Sequence, residues 1–363
     1  MGSAEEPDNG DHFSRHIRII TYILMDAEKH DIHFGFHAYN MSLMVLPLVL
    51  LYQEHAAILR AEKPLHDLKR LQEEKRNSSM STNSDSGYFL DAESAPEMAR
   101  LIQQDMAMTR KMGGPLAEQA DPSSFLEILD VGCGSGGWVL DVAFANPDAE
   151  VAGIDISKTL IEYANARARS QGLQNASFEV MDVTTPLSFS DHSFDLVNGR
   201  LLVGSLPRTV WPQLIQECFR ITRSGGVLRM TELDMSGVTT SAAFNYLDSL
   251  LLKANWLVGH GFSPDGRTTC MTPMLPTLLR NAGYQHIQHR AHAIDVSSGT
   301  DTHMDFYRNY EIFFKQTLPF LASVGVATQE EVEQTYQQML IDMFSDEFKG
   351  MWYLLTAWGT KPE

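Results

Sequence analysis

Short apolar runs alternate with longer amphipathic segments along the chain after residue 87. Five of the runs have strand character, because Val, Ile, Leu and Phe fill them and Gly, Asp or Ser bounds them. These runs are FLEILDV, EVAGIDI, SFEVMDV, SFDLVNG and GGVLRMTEL. The segments between them have helical spacing; in KTLIEYANARARSQG, Leu160, Ile161, Ala164 and Ala168 share a face. This alternation predicts an α/β fold, with a parallel sheet covered by helices on both faces.

Two further strands are predicted near the end of the sequence, around residues 284–296 and 350–361. The segment between them, residues 303–349, is amphipathic and rich in Phe, Tyr, Met and Leu. It is too long for a loop, so we interpret it as a helical insertion before the last strand. Such a segment either covers the functional site or thickens the core, and the pattern does not separate the two.

The beginning of the chain has a different pattern. Residues 62–76 have the spacing of a charged helix, and residues 77–87, NSSMSTNSDSG, have the composition of a flexible linker. We therefore predict a helical extension over 1–76, a linker over 77–87 and the main domain over 88–363. In the apolar segment 34–52 the dense part is shorter than the roughly 20 residues that span a bilayer. We expect a buried or lid-forming helix there, with a membrane contact as the alternative.

Charge and cysteine content narrow the function classes. The chain has 28 Lys and Arg against 46 Asp and Glu, a net charge of −18, which argues against nucleic acid as a partner. The three cysteines are Cys133, Cys218 and Cys270, whose number and spacing predict neither a disulfide framework nor a zinc site. No secretory signal is visible, so we expect a cytoplasmic protein. We also expect no metal centre. These patterns do not predict an oligomeric state.

The most specific motif is EILDVGCGSGGW, residues 127–138, in which a buried strand leads into a glycine turn and a helix. Glycines permit positive φ and let a ligand approach bare backbone. Gly132, Gly134 and Gly137 fit the spacing of a dinucleotide site. Asp130 with Gly132, Gly134 and Gly136 fits an S-adenosylmethionine site equally well, so the glycines alone do not decide.

The charge of Asp130 favours the second interpretation. A dinucleotide would place its pyrophosphate over the turn, and each like-charge pair at about 6 Å costs roughly 3 kcal/mol at an effective dielectric near 20. The same carboxylate would favour the ammonium group of S-adenosylmethionine. Asp155 and Asp182 follow at the ends of the next two predicted strands, where ribose hydroxyls and the adenine amine are expected in open α/β sheets. Met181 and Val183 would border the adenine ring.

These linked motifs resemble the class I S-adenosylmethionine-dependent methyltransferases, most closely the ubiquinone and menaquinone methyltransferase branch. LDVGCGSGG matches the first motif, GIDIS the second and VMDV the third. SFDLVNGR matches the fourth strand and its loop, and RSGGVLRMTE the glycine pair before the fifth strand. The resemblance covers roughly residues 86–363. Within the branch, the chain looks like small-molecule methyltransferases of microbial natural-product pathways.

The resemblance implies a Rossmann-like, mostly parallel sheet of seven strands, the last one antiparallel and beside the fifth. It also implies that Asn198, Gly199 and Arg200 line S-adenosylmethionine, although a surface ion pair between Arg200 and Asp195 is an alternative. Tyr88 would begin a segment that folds over the methionine moiety. The complete predicted cofactor set is Tyr88, Asp130, Gly132, Cys133, Gly134, Gly136, Asp155, Ile156, Met181, Asp182, Val183, Asn198, Gly199 and Arg200.

The predicted function is transfer of a methyl group from S-adenosylmethionine to oxygen, nitrogen or carbon of a small molecule, in secondary metabolism. Candidate bases are Glu232 and Asp234, after the fifth strand, and His260 in a glycine-rich loop. Of these, Glu232 and His260 are the predicted catalytic residues. A cyclase or isomerase that binds the cofactor without transferring its methyl group is an alternative, and a non-enzymatic regulator is a third hypothesis.

Overall fold

The computed structural model describes residues 94–363. The predicted extension 1–76, the apolar segment 34–52, the linker 77–87 and Tyr88 lie outside the described residues, so these remain predictions. Within residues 94–363, no helix has the length and apolar character needed to cross a membrane.

The described residues form helices and strands that largely alternate along the chain. The helices are α1 (Ala95–Met112), α2 (Gly137–Ala145), α3 (Lys158–Gln171), α4 (Trp211–Ile221), α5 (Ala242–Leu257), α6 (Met271–Ala282), α7 (His303–Val324) and α8 (Gln329–Phe344). The strands are β1 (Glu127–Val131), β2 (Glu150–Asp155), β3 (Ala176–Val180), β4 (Phe194–Arg200), β5 (Thr222–Glu232), β6 (Val238–Thr239), β7 (Gln285–Asp295) and β8 (Gly350–Thr360). A short 3-10 helix, Pro122–Ser124, precedes β1.

The strands form one mixed sheet. Its order is β3-β2-β1-β4-β5-β8, with β7 on the far side of β8. The neighbours from β3 to β5 pair in parallel, whereas β8 runs antiparallel to both β5 and β7. This confirms the Rossmann-like fold with an antiparallel last strand beside the fifth. The described sheet has eight strands rather than seven, because Val238–Thr239 forms a two-residue strand, β6, against the start of β8.

Adjacent residues of the central strands contribute to different cores, since side chains alternate across a sheet. Leu129, Val197 and Leu228 pack with α4 and α6 in one hydrophobic cluster. Their chain neighbours Ile128, Leu196 and Val227 pack with α2 in another cluster. Both faces of the sheet are therefore covered, as the strand and helix pattern predicts. In α3 the buried residues are the four predicted ones, Leu160, Ile161, Ala164 and Ala168.

The segment between β7 and β8 is helical and carries a third hydrophobic cluster. Helices α7 and α8 pack with α5 and with Met108 and Met112 of α1. Aromatic rings fill its centre: the ring centroids of Phe244 and Phe314 lie 5.5 Å apart, and those of Phe306 and Tyr310 lie 4.5 Å apart. This segment therefore contributes core of its own, and it also joins α1 to the rest of the domain.

A phenylalanine inside this cluster should contribute far more to the free energy of unfolding than one outside it. Phe314 is fully buried, and Phe314→Ala should lower the free energy of unfolding by about 3 to 5 kcal/mol because a cavity remains. Phe344→Ala is the matched control, because Phe344 is 67% exposed and should change stability by less than about 1 kcal/mol. Urea denaturation followed by circular dichroism measures both; equal effects would contradict this account of the cluster.

Candidate active site

The turn between β1 and α2 is built from glycines that differ in the space around them. Gly136 has a φ of +77°, and a Cβ atom there would lie 2.6 Å from Phe178 and 2.8 Å from Ala164. Gly134 also has a positive φ, +54°, but nothing lies within 4 Å of the position of its Cβ. The turn is therefore packed against the protein at Gly136 and open at Gly134, which leaves a bare backbone surface for a ligand.

Asp155 connects the end of β2 to this turn. Its Oδ2 accepts a hydrogen bond from the Gly134 N–H at 2.9 Å, and its Oδ1 accepts one from the Ser157 N–H at 2.9 Å. Burial raises the pKa of this carboxyl. Each oxygen keeps a further lone pair, so Asp155 can hold the turn and also accept hydrogen bonds from a ligand hydroxyl. The next side chain, Ile156, is 53% exposed beside it.

The third predicted acid, Asp182, lies beyond its strand rather than at its last residue. Strand β3 ends at Val180, and its last hydrogen bond to β2 runs from the Met181 N–H to the Asp155 carbonyl at 3.0 Å. Met181 is nearly buried next to β2, and Val183 packs against the core. Asp182 accepts a hydrogen bond from the Thr184 N–H at 2.8 Å, as turn residues commonly do.

Asp130 lies under the turn, at the end of a row of four buried polar side chains. Its Oδ1 accepts a hydrogen bond from the Asn198 Nδ2 at 2.6 Å, and the Asn198 Oδ1 accepts one from Arg229 at 2.6 Å. Arg229 in turn pairs with Glu118, and both side chains are at most 2% exposed. Burial raises the pKa of Asp130 to about 7, so its charge varies near neutral pH. The row fixes the amide of Asn198 and braces β1, β4 and β5.

Two members of this row were not predicted as site residues. Arg229 has a signal in the sequence, because a charged residue interrupts the apolar run GGVLRMTEL. Glu118 has none, because it lies in a polar connection between α1 and β1.

The remaining predicted residues at the turn are closely packed. A Cβ on Gly132 would lie 2.5 Å from Leu202, and one on Gly199 would lie 3.0 Å from Met230 and Val131. Cys133 is nearly buried, and burial raises the pKa of its thiol well above the usual value. These residues therefore shape the backbone around the turn. Among residues 94–363, no group of three His, Cys, Asp or Glu side chains is placed to hold a metal ion.

Arg200 pairs with a residue that the sequence motifs do not include. Its Nη2 lies 2.5 Å from the Oδ1 of Asp105 on α1, and its Nη1 donates to the Thr109 hydroxyl at 3.0 Å. The alternative pairing with Asp195 is wrong, because Asp195 pairs with Arg223 at 2.8 Å. Helix α1 therefore lies at the carboxyl end of β4, next to the glycine turn.

A family model described as a methyltransferase domain matches residues 122–258, which include this turn and strands β1 to β6. Residues 122–258 are therefore similar to a methyltransferase domain.

Two curated relatives resemble parts of this chain. Aklanonic acid methyltransferase DauC of Streptomyces sp. (strain C5) is 40% identical over 100 residues, which are 27% of this chain and 45% of that protein. Secondary metabolism regulator laeA of Monascus pilosus is 35% identical over 107 residues, which are 29% of this chain and 26% of that protein. The matched part thus spans less than half the length of both relatives.

Among solved structures, phosphoethanolamine N-methyltransferase 2 of Haemonchus contortus in complex with S-adenosyl-L-methionine is similar, with a TM-score of 0.46 and 17% identity. The match covers 78% of this chain and 61% of that chain.

The predicted catalytic residues meet at the loop that follows β4. Glu232 is fully buried, and its two carboxylate oxygens accept hydrogen bonds from the N–H groups of Leu202 and Val203 at 2.7 and 3.4 Å. The His260 Nδ1 lies 3.1 Å from the Gly204 carbonyl oxygen in the same loop. Burial lowers the pKa of His260, which keeps the imidazole neutral at pH 7.

Asp234 has a structural role. One of its oxygens accepts hydrogen bonds from the N–H groups of Met271 and Thr272 at 2.7 and 3.1 Å. A carboxylate at this position caps the N-terminus of α6. We therefore do not retain Asp234 among the candidate bases.

The buried carboxyl of Glu232 should leave a signature in the pH dependence of stability. Burial raises its pKa from 4.5 to about 8, so the folded state binds a proton that the unfolded state has released in this range. The contribution to the free energy of unfolding is complete below about pH 4.5 and is lost as the pH rises towards 8. Glu232→Gln should flatten this decline. Urea denaturation at a series of pH values measures it, and Glu347→Gln, at an exposed position, is the control. An unchanged slope would contradict the assignment.

Proposed function

We propose that this chain transfers the methyl group of S-adenosylmethionine to a small-molecule acceptor. The observation that carries the proposal is the contact of Asp155 with the open backbone of Gly134, at the carboxyl edge of a sheet with this strand order. In open α/β sheets, ligands bind outside the carboxyl ends of the strands. A carboxylate and bare backbone at one point suit a nucleoside, whose hydroxyls donate to the acid.

The described residues fit the cofactor. The carboxyl of Asp155 would accept hydrogen bonds from the ribose, and Ile156 and Met181 would border the adenine. When bound, S-adenosylmethionine supplies an electrophilic methyl group on a cationic sulfur. Asp130 and Asn198 support the turn from below, and Asp130 adds negative charge beneath it when ionised. We therefore keep these residues in the proposed cofactor site.

The protein's own contribution to transfer would be positioning and exclusion of water, which together can supply roughly 7 to 11 kcal/mol. Helix α1 lies over the turn through Asp105 and Arg200, and it is tied to α7 by the hydrogen bond of Arg100 to Asn309 at 2.9 Å. These two helices would shield the reacting groups from solvent.

A small metabolite is the acceptor class that we favour. A net charge of −18 is unfavourable for nucleic acid. The names of the two relatives refer to aklanonic acid and to secondary metabolism, so we propose a role in secondary metabolism for this chain as well.

His260 is the proposed general base. With its Nδ1–H donating to the Gly204 carbonyl, the neutral ring has its Nε2 as an acceptor for the proton of an incoming nucleophile. Glu232, which holds the N–H groups of Leu202 and Val203, would act on catalysis by positioning the same loop. The two predicted catalytic residues thus receive different roles.

Transfer is tested by incubating the purified protein with S-adenosylmethionine labelled in its methyl group and an extract of small metabolites. We expect labelled products that have gained one CH2 unit in mass. Gly134→Ala should abolish labelling, because the new methyl group faces the open side of the turn. Gly172→Ala is its matched control: Gly172 also has a positive φ and an open Cβ position, but it caps α3 away from the turn.

Failure to bind S-adenosylmethionine at millimolar concentration in calorimetry would overturn the proposal. Label recovered only in protein would overturn the small-molecule acceptor, and a product of unchanged mass would support the cyclase or isomerase.

The role of His260 predicts a dependence on pH. A base with a lowered pKa is deprotonated at neutral pH, so kcat/KM should fall only below about pH 6.5. His260→Gln should reduce kcat by about 10² to 10⁴, the usual contribution of general-base catalysis, and should remove this acid limb. His289→Gln is the control, because His289 is exposed on β7. Rates with a labelled acceptor, measured from pH 5 to 9, test it; an acid limb that survives in His260→Gln would exclude the role.

A further inference from the structure

An ion pair between α1 and β4 closes over the glycine turn. Asp105 and Arg200 are 14% and 11% exposed, and the shortest distance between their charged groups is 2.5 Å. Another ion pair of α1 is more exposed: Lys111 of this helix pairs with Asp301, whose side chain is 72% exposed. A pair removed from water costs desolvation and interacts strongly, so its position has consequences for any charged ligand nearby.

Asp105 lies directly against the start of α2. A Cβ atom on Gly137 would lie 1.7 Å from the Asp105 Oδ2, so only glycine leaves space for this carboxylate. Gly137 is the first residue of α2, where the helix dipole favours negative charge. The Asp105 carboxylate therefore occupies a position in which the carboxylate of a bound ligand would also be stabilised.

Arg200 has hydrogen-bonding capacity that the protein does not use. Its Nε is buried and has no hydrogen-bond partner, although Nη1 and Nη2 are bonded to Thr109 and Asp105. Buried donors are rarely left without a partner, so this Nε is available to donate to a ligand that reaches Arg200. A carboxylate can bind a guanidinium through two parallel hydrogen bonds, which would use the free Nε.

We propose that the Asp105–Arg200 pair is a gate that the amino-acid end of the cofactor opens by exchange. The α-carboxylate of the ligand replaces Asp105 on Arg200, and the α-ammonium group pairs with the released Asp105. This inference rests on the proposed function, since it names the residues that recognise one end of the cofactor. Because Asp105 belongs to α1, the exchange also moves the helix that covers the turn.

The exchange makes affinity depend on the amino-acid end of the ligand. Calorimetry of the full chain with S-adenosylhomocysteine and with 5′-methylthioadenosine, which lacks the amino-acid group, measures this directly. The unmodified protein should bind the first at least about tenfold more tightly, because charge pairs with buried partners contribute at that scale. This comparison needs no substitution, so it does not depend on whether a variant folds.

Variants then separate recognition from a structural role. Arg200→Gln should weaken the binding of S-adenosylhomocysteine by about tenfold or more and change the affinity for 5′-methylthioadenosine by less than about twofold. Arg200→Lys, which keeps the charge, should restore part of the affinity for S-adenosylhomocysteine. Asp105→Asn should also weaken S-adenosylhomocysteine selectively. Asp301→Asn is the control, because it breaks the more exposed ion pair that Asp301 forms with Lys111 of α1.

The outcomes distinguish the hypotheses. If the unmodified protein binds neither nucleoside, the proposed function fails, and this inference fails with it. If both bind equally, or if each variant weakens both ligands by the same factor, only the gate is overturned and the pair is structural. Tighter binding of S-adenosylhomocysteine by Asp105→Asn would show that Asp105 only competes with the ligand, which overturns its role as the ammonium partner.

Discussion

The hydrogen bond from the Gly134 N–H to the Asp155 carboxylate is the contact on which the rest of the site depends. It joins the turn after β1 to the end of β2. It therefore fixes the backbone at Gly134, which has no side chain of its own. The packing of Phe178 and Ala164 against Gly136 acts in the same direction from below. Together these contacts hold the turn with one surface against the protein and the other open, before any ligand arrives.

Buried polar groups are paired with one another on one side of the turn, whereas a buried donor is left unpaired on the other side. Beneath the turn, the row from Asp130 to Glu118 satisfies buried polar groups with one another and braces three strands. Above it, the Asp105–Arg200 pair leaves a donor unsatisfied, which is the condition expected where a ligand completes the structure. The same local chemistry, a carboxylate near an arginine, is thus structural in one place and available for exchange in the other.

Much of this arrangement follows from the sequence, because buried strands and glycine turns have strong local patterns. The buried face of α3 was predicted correctly from its spacing, and the place of β8 beside β5 was predicted correctly from the family resemblance. The two-residue strand β6 was not, because two residues carry no alternation. Asp182 was placed at a strand end because the apolar pattern continues to Val183, whereas the backbone leaves the sheet after Val180.

Helix α1 was not predicted, although Ser94, Pro96, Glu97 and Gly113 are good signals for its two ends. Asp105 and Glu118 were missed for a physical reason: each acts through a partner that is distant in the sequence, and no local motif reports it.

The antiparallel strand β8 has a consequence for the order of assembly. It lies inside the sheet, between β5 and β7, yet it follows all the other described strands in the chain. During synthesis, β5 and β7 therefore emerge from the ribosome with their facing edges unpaired, and such edges recruit other chains into aggregates. The two edges stay unpaired until the segment from Gly350 to Thr360 has been translated, so the sheet can be completed only at the last stage of synthesis of the described residues.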